Sequence, residues 1–314
     1  MARPCKLRLR LRAFAGGLLA MIAAPALAEM SSAVRTAPHE VTGLHKGAQI
    51  LVDFWGIPHI YAADTHDLFF MQGYNAACDR LWQIDLWRKR GLGLLARDLG
   101  PDYLAQDRAA RMFVYRGDME KEWAAYGPNA RAYAEAFVQG VNAFVQETRD
   151  GAQPLPPEFG IAGSRPDTWS VEDVVRIRSH GLTRNVTTEV LRAQAACAGG
   201  LEAARLIVKL DPPWQTRVPD GLDPCSIPKD VLRDYSLATG PVTFTAPGTP
   251  RRAELFDADR FLAQSLGNVE AIGSNNWVVA GARTATGRPI LANDPHRDHG
   301  VPSLATSCSS ARPG

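Results

Sequence analysis

A serine directly after a glycine, Gly273-Ser274, opens the segment IGSNNWVVAGARTATGRPILANDPH, residues 272–296, which closes on His296. Three serine chemistries compete for that position. A Gly-x-Ser-x-Gly elbow does not occur, and no Ser-x-x-Lys pair surrounds Ser274. The third chemistry is that of a serine that becomes an N-terminus. Cutting the Gly273–Ser274 peptide gives Ser274 a free α-amino group beside its own hydroxyl. Such an amine titrates near about 7.7–8.0, so at neutral pH a usable fraction is neutral and can accept the hydroxyl proton. One residue then supplies both nucleophile and base. Gly273 suits the cut, because it has no side chain to block attack and tolerates a strained backbone. The bland alternative is a Gly-Ser turn ahead of a strand, and composition alone favours it.

The elements around the serine strengthen the chemical reading. The segment reads as strand, Gly-containing turn and strand. A turn centred on Ala285-Thr286 would return His296 to the neighbourhood of Ser274 and Asn275. An imidazole there can hydrogen-bond the nucleophile or orient the amine. Ahead of Ser274, residues 235–273 are turn-rich and polar and read as a surface linker, a plausible excised spacer. Further upstream the pattern is helical. Apolar residues recur at three and four from Asp64 to Leu99, and again after Pro128 through Tyr133, Ala136, Phe137, Val141 and Phe144. Pro154-Leu155-Pro156-Pro157 forces an extended connector, and Ser170 with Asp173 predicts a capped helix. Residues 49–61 read as two short strands broken at Gly56 and Pro58.

Composition narrows the class of protein. With 314 residues and 46% apolar content the chain can bury a sizeable core. A net charge of +2 gives no argument for nucleic acid or anionic lipid as partner. Met1 to Arg12 carries five basic residues and no acid, Ala13 to Pro25 is apolar and small, and Ala26-Leu27-Ala28 is a cleavage-type site. Residues 1–28 therefore read as a secretory signal, with the mature chain starting near Glu29 in the periplasm or medium and no membrane attachment afterwards. Of the five cysteines, Cys197 and Cys225 could close a modest loop in an oxidising compartment, while Cys78 sits in a helical pattern and reads as buried and inert.

Three blocks then point to one family. The segment SNNWVVAGARTATGRPILANDPH closely resembles the start of the β subunit of penicillin acylases, which are N-terminal-nucleophile hydrolases. WGIPHIYAADTHDLFFMQGYNAACDRLWQIDLWRKRGLGLLARDLG resembles the opening of their α subunit, and LPPEFGIAGSRPDTWSVEDVVRI its middle. The resemblance implies an exported precursor that cuts itself before the serine, loses a spacer and becomes an α/β heterodimer. It also implies hydrolysis of small N-acyl amides, such as β-lactam side chains, through an acyl-enzyme. The implied fold is α+β: a mainly helical α-subunit region over 29–234, a spacer over 235–273, and from 274 the first hairpin of an αββα core.

Carried over residue by residue, Ser274 is nucleophile and amine base, Gly273 the other side of the scissile bond, and His296 a contact of the nucleophile. Asn293 and Asp294 flank it as groups that fix the hairpin end. Arg184 and Asn185 match positions bordering the acyl pocket, with a solvated loop as the even alternative. Glu189 matches a carboxylate that helps bind structural calcium in relatives. A glutamate favoured by the local helix dipole is the equal alternative, and no organic cofactor is implied. The pair His296 and His299 lacks further ligands and is not read as a metal site. Acyl-homoserine lactone acylases share the chemistry and differ in the pocket. Members continue well beyond the hairpin, so the chain reads as truncated. Its tail from about residue 305 reads as frameshifted, neither strand nor helix, which would leave it inactive or serving only to bind a separate β chain.

Overall fold

The computed structural model describes residues 37–177, 186–207, 217–244, 274–295 and 309–311. The signal-like residues 1–28 lie outside them. Among the described residues the chain is mostly helical, with two small sheets, and it divides into two compact units. No described helix is long and apolar enough to cross a membrane.

The first unit comprises residues up to 81, 132–156 and 308–314. Strands β1 (Ala48–Val52) and β2 (Pro58–Ala62) form an antiparallel hairpin, turned where Asp53 accepts backbone hydrogen bonds from Trp55 and Ile57. Helix α1 (Thr65–Leu92) begins in this unit and crosses α5 (Ala130–Arg149), most of which belongs to it. The crossing is set by two glycines. A Cβ at Gly73 would stand 1.9 Å from the Phe137 carbonyl oxygen, and a Cβ at Gly140 would stand 1.9 Å from that of Phe70. Each glycine thus lets its own helix meet the other's backbone, closer than any side chain permits. Around that contact Phe70, Ala77, Leu81, Val141 and Val145 are fully buried, and the Tyr74 ring stands edge-on to Phe144 at 5.4 Å.

One strand runs against expectation. Residues Ser309–Ala311 form β5, pairing in parallel with β2 so that His59 faces Ser309 and Tyr61 faces Ala311. The tail had read as neither strand nor helix. A ladder is made by backbone groups, so a sequence with no alternating apolar pattern can still complete an open edge.

In the second unit, the remainder of α1 ends at Gly93, whose φ of 67° is the left-handed cap. Leu94 N–H reaches the Lys89 carbonyl at 2.9 Å and Gly93 N–H that of Arg90 at 3.2 Å, the paired bonds that close a helix C-terminus. The kink in α1 at Arg80, φ −141°, lies two residues before this unit begins at Trp82. Helices α2 (Leu95–Leu99), α3 (Leu104–Phe113), α4 (Met119–Ala125), α6 (Pro157–Ala162), α7 (Val171–Arg176), α8 (Val186–Ile207) and α9 (Arg233–Thr239) follow. As the capping pattern predicts, the Asp173 carboxylate accepts the Ser170 backbone N–H at 3.0 Å.

A charged cluster occupies the interior of this unit. Lys89, 3% exposed, bridges Asp85 at 2.7 Å and Asp98 at 2.6 Å and donates to the Arg165 carbonyl, while Arg88 pairs with Asp173 at 2.6 Å. Burial raises the Asp85 pKa, with Lys89 opposing it. Burial also works against charged Asp98, but its bonds to Arg97 and Lys89 prevail and lower its pKa.

Cys197 of α8 is disulfide-bonded to Cys225, closing the loop anticipated between them. Cys78 corrects the reading of an inert thiol: it is half-buried and disulfide-bonded. The span read as a linker from residue 235 begins inside α9, where Ala238 is fully buried, and the Tyr103 hydroxyl holds the Thr243 carbonyl at 2.7 Å. Residues 245–273 lie outside the described part.

Candidate functional site

Ser274 is the first residue of β3 (Ser274–Val279), which pairs antiparallel with β4 (Ile290–Pro295). Ser274 faces Pro295, Asn275 faces Asp294 and Asn276 faces Asn293. The expected register set Asn275 opposite His296, so the observed one is displaced by two residues. The reason lies in the connection. A two-residue turn at Ala285-Thr286 is not used; the chain instead makes a single 3-10 turn at Gly281–Arg283 and a left-handed Gly287. The Thr284 hydroxyl donates within this loop, to the carbonyls of Gly281 (3.0 Å) and Arg288 (2.7 Å). A Cβ at Gly281 would meet the Gly287 carbonyl oxygen at 2.3 Å, so that position demands glycine. A shift of two conserves the face each residue takes.

The backbone therefore brings Ser274 opposite the residue that precedes His296. His296 and Gly273 themselves lie outside the described residues, as do Arg184 and Asn185. The faces of this hairpin are open: Trp277 is 53% exposed, Val278 68%, Ile290 48% and Leu291 71%. A nucleophile on so open a hairpin would need its acyl pocket and oxyanion donors from other segments.

Glu189 lies in the first turn of α8, exposed, its carboxylate 3.2 Å from the Arg192 guanidinium. A hard cation needs six to eight oxygens and is repelled by a neighbouring guanidinium. In this structure Glu189 is paired with Arg192 at the surface.

The sequence reading passed over a different constellation. His45, Asp64, His66 and Asp67 present donor atoms that all lie within 4.8 Å of one another. Burial disfavours a charged His66 ring, but bonds to Asp67 and Gln139 and the charges of Asp67 and Asp64 outweigh it, and its pKa is raised. Asp67 loses from burial and gains more from the His45 and Lys46 backbone N–H groups and the His66 ring, so its pKa is lowered. The signal available in sequence was the DTHD run at the start of a helix; its partner His45 is remote in sequence.

Comparison with known proteins covers most of the chain. The family model described as penicillin amidase matches residues 47–313. Penicillin acylase 2 proenzyme of Pseudomonas sp. strain SE83 is 33% identical over 268 residues, which is 84% of this chain and 32% of that protein. Acyl-homoserine lactone acylase QuiP of Pseudomonas aeruginosa is 29% identical over 267 residues, 84% of this chain and 29% of that protein. Among solved structures, the thermostable penicillin G acylase from Alcaligenes faecalis aligns with a TM-score of 0.43 at 25% identity, covering 55% of this chain and 98% of that one. The chain spans about a third of the length of the curated relatives it matches.

Proposed function

The chain belongs to the penicillin amidase family, and on that premise we propose that it is the N-terminal part of an exported amidohydrolase precursor that cuts itself before Ser274. The observation that carries this reading is the position of Ser274. It opens the antiparallel hairpin inside a family match that runs through it on both sides. Freed by the cut, its α-amine takes the hydroxyl proton as the oxygen attacks the acyl carbon of an N-acyl amide. The same ammonium returns that proton to the departing amine, and water then releases the acyl group from Ser274. His296, next in sequence to the partner of Ser274, is the neighbour we assign to orient the amine. Export follows from the basic, apolar and small-residue sequence of residues 1–28. The mature enzyme is then an α/β heterodimer cut from one chain.

Relatives named as penicillin acylases and as acyl-homoserine lactone acylases stand at similar identity, so the substrate class is an N-acyl amide with either amine partner. Mass spectrometry of the full-length secreted protein tests the reading. A new N-terminus at Ser274, absent from the Ser274→Ala variant, is the expected result; processing that persists in the alanine variant overturns it. Parallel assays on penicillin G and on acyl-homoserine lactones then separate the two substrate classes.

A further inference from the structure

Away from the hairpin, at the start of α1, four donors converge from two places in the sequence. Asp64 immediately precedes the helix, His66 and Asp67 lie in its first turn, and His45 comes from the loop before β1. We propose that His45, Asp64, His66 and Asp67 form a binding site for one zinc-class divalent cation, which pins that loop to the helix within the first unit.

The argument begins with the chemistry of the set. Two imidazole nitrogens and two carboxylate oxygens are the mixed donors that a borderline cation takes in tetrahedral geometry. The two negative charges balance a divalent ion. Calcium and magnesium fit poorly, because the carboxylate oxygens are few and partly spent. One Asp64 oxygen accepts the Asp67 N–H at 2.9 Å, and the Asp67 oxygens accept the backbone N–H groups of His45 at 2.9 Å and Lys46 at 2.7 Å.

Those same bonds hold the ligands in place. Asp67 is 0% exposed and fixed by two backbone donors, so its carboxylate cannot turn away. The second oxygen of Asp64 stands 3.8 Å from His45 Nδ1, with no shorter bond between them. His66 is oriented from outside the cluster: its Nε2 lies 3.1 Å from Gln139 Oε1 of α5. A donor bond from Nε2–H to that oxygen leaves Nδ1, 3.0 Å from Asp67 Oδ1, as the nitrogen that faces the ion. This is how a metal-ligating histidine is ordinarily held, with its far nitrogen tied to an acceptor in the next layer. The His45 ring stacks on that of His66 at 3.8 Å and is the exposed member, free to rotate its nitrogen onto an ion seated beside them. When the ion enters, it replaces the proton lying between His66 Nδ1 and Asp67 and releases it to solvent.

The test uses the complete 314-residue chain with any affinity tag removed and metal stripped by chelator. Zinc is titrated against a chromophoric competitor, and thermal unfolding is followed with and without zinc. The wild type is expected to bind one zinc more than the His45→Ala/His66→Gln double variant, and to be the one of the two that zinc stabilises against heat. Gln139→Leu, which touches no ligand atom of the ion, is expected to weaken that site about 10–100-fold. Millimolar calcium is expected to leave the unfolding midpoint unmoved. Zinc stoichiometry that is the same in wild type and double variant overturns the proposal, as does a zinc-independent midpoint in the wild type. Circular dichroism at 25 °C distinguishes a folded variant from a collapsed one. Should the double variant fail to fold, the exposed His45→Ala alone carries the comparison, and unchanged zinc affinity in it overturns the site.

Discussion

The helices and the β3–β4 hairpin solve the problem of apolar surface in opposite ways. In the crossing of α1 and α5, glycines remove the side chains that would hold two backbones apart, and Phe70, Val141 and Val145 close over the contact until none is more than 1% exposed. In the hairpin, Trp277, Val278, Ile290 and Leu291 alternate along a well-made ladder, yet all four stay about half exposed or more. One region carries its own core; the other carries the serine we assign as nucleophile on an open surface. The difference teaches that local order and burial are separable. Backbone pairing sets where Ser274 sits, whereas the environment that would make it a catalyst is a matter of packing.

The sharpest way to break this comparison is at the serine. In the full-length protein, Ser274→Ala is expected to abolish both self-cleavage and turnover while leaving the helical part folded, since Ser274 heads a strand outside the helices. Ser274→Cys is expected to keep the cut and change the rate, because a thiol can make the same attack. Mass and amidase assay on the same samples read both outcomes. Unfolded helices in the alanine variant would show that the two regions are not separable as argued.

Next in size come the buried groups of the helices. Lys89→Met removes the cation that Asp85 and Asp98 share; Asp98 keeps Arg97, and Asp85, 1% exposed, is left as an unpaired buried carboxylate. Breaking a buried pair in this way costs about 3–5 kcal/mol. Gly140→Ala sets a methyl group against the Phe70 carbonyl, with no flexible neighbour to yield, and is expected to cost about 3 kcal/mol, the upper end for overpacking. Denaturant titration of each variant reads these losses. A cost under about 0.5 kcal/mol for Gly140→Ala, the range of an ordinary surface change, would remove backbone contact as the basis of the crossing.

What the sequence made legible follows from the same physics. Helical periods, the Ser170–Asp173 cap, the strands either side of Gly56 and the family blocks are all local patterns, and each has its counterpart in the fold. Gly73 and Gly140 escaped because a helical glycine reads as a weak point until the facing carbonyl is known. The hairpin register slipped by two because Gly281 and Gly287 build a longer connection than a two-residue turn. β5 was illegible because a parallel partner strand need carry no side-chain period of its own. His45 and His66 stack only after the chain between them has folded back.

The smallest expected effect is the most discriminating for the comparison. Val278, 68% exposed near the C-terminal end of β3, has little apolar surface left to lose on substitution. Val278→Thr keeps the β-branched shape and so the strand preference. In a polypeptide of just these 314 residues its cost is expected to stay within about 0.5 kcal/mol, as for a surface change. In the full-length protein the same side chain, if covered by the segments that complete the site, would lose the transfer energy of a buried valine and gain a buried hydroxyl. The expected cost there rises to about 1.5–3 kcal/mol. Paired unfolding titrations of the two lengths, each with and without the substitution, measure that gap directly. Equal costs in both would mean that the outer face of the hairpin stays in water even in the complete protein, and that the acyl pocket is built elsewhere.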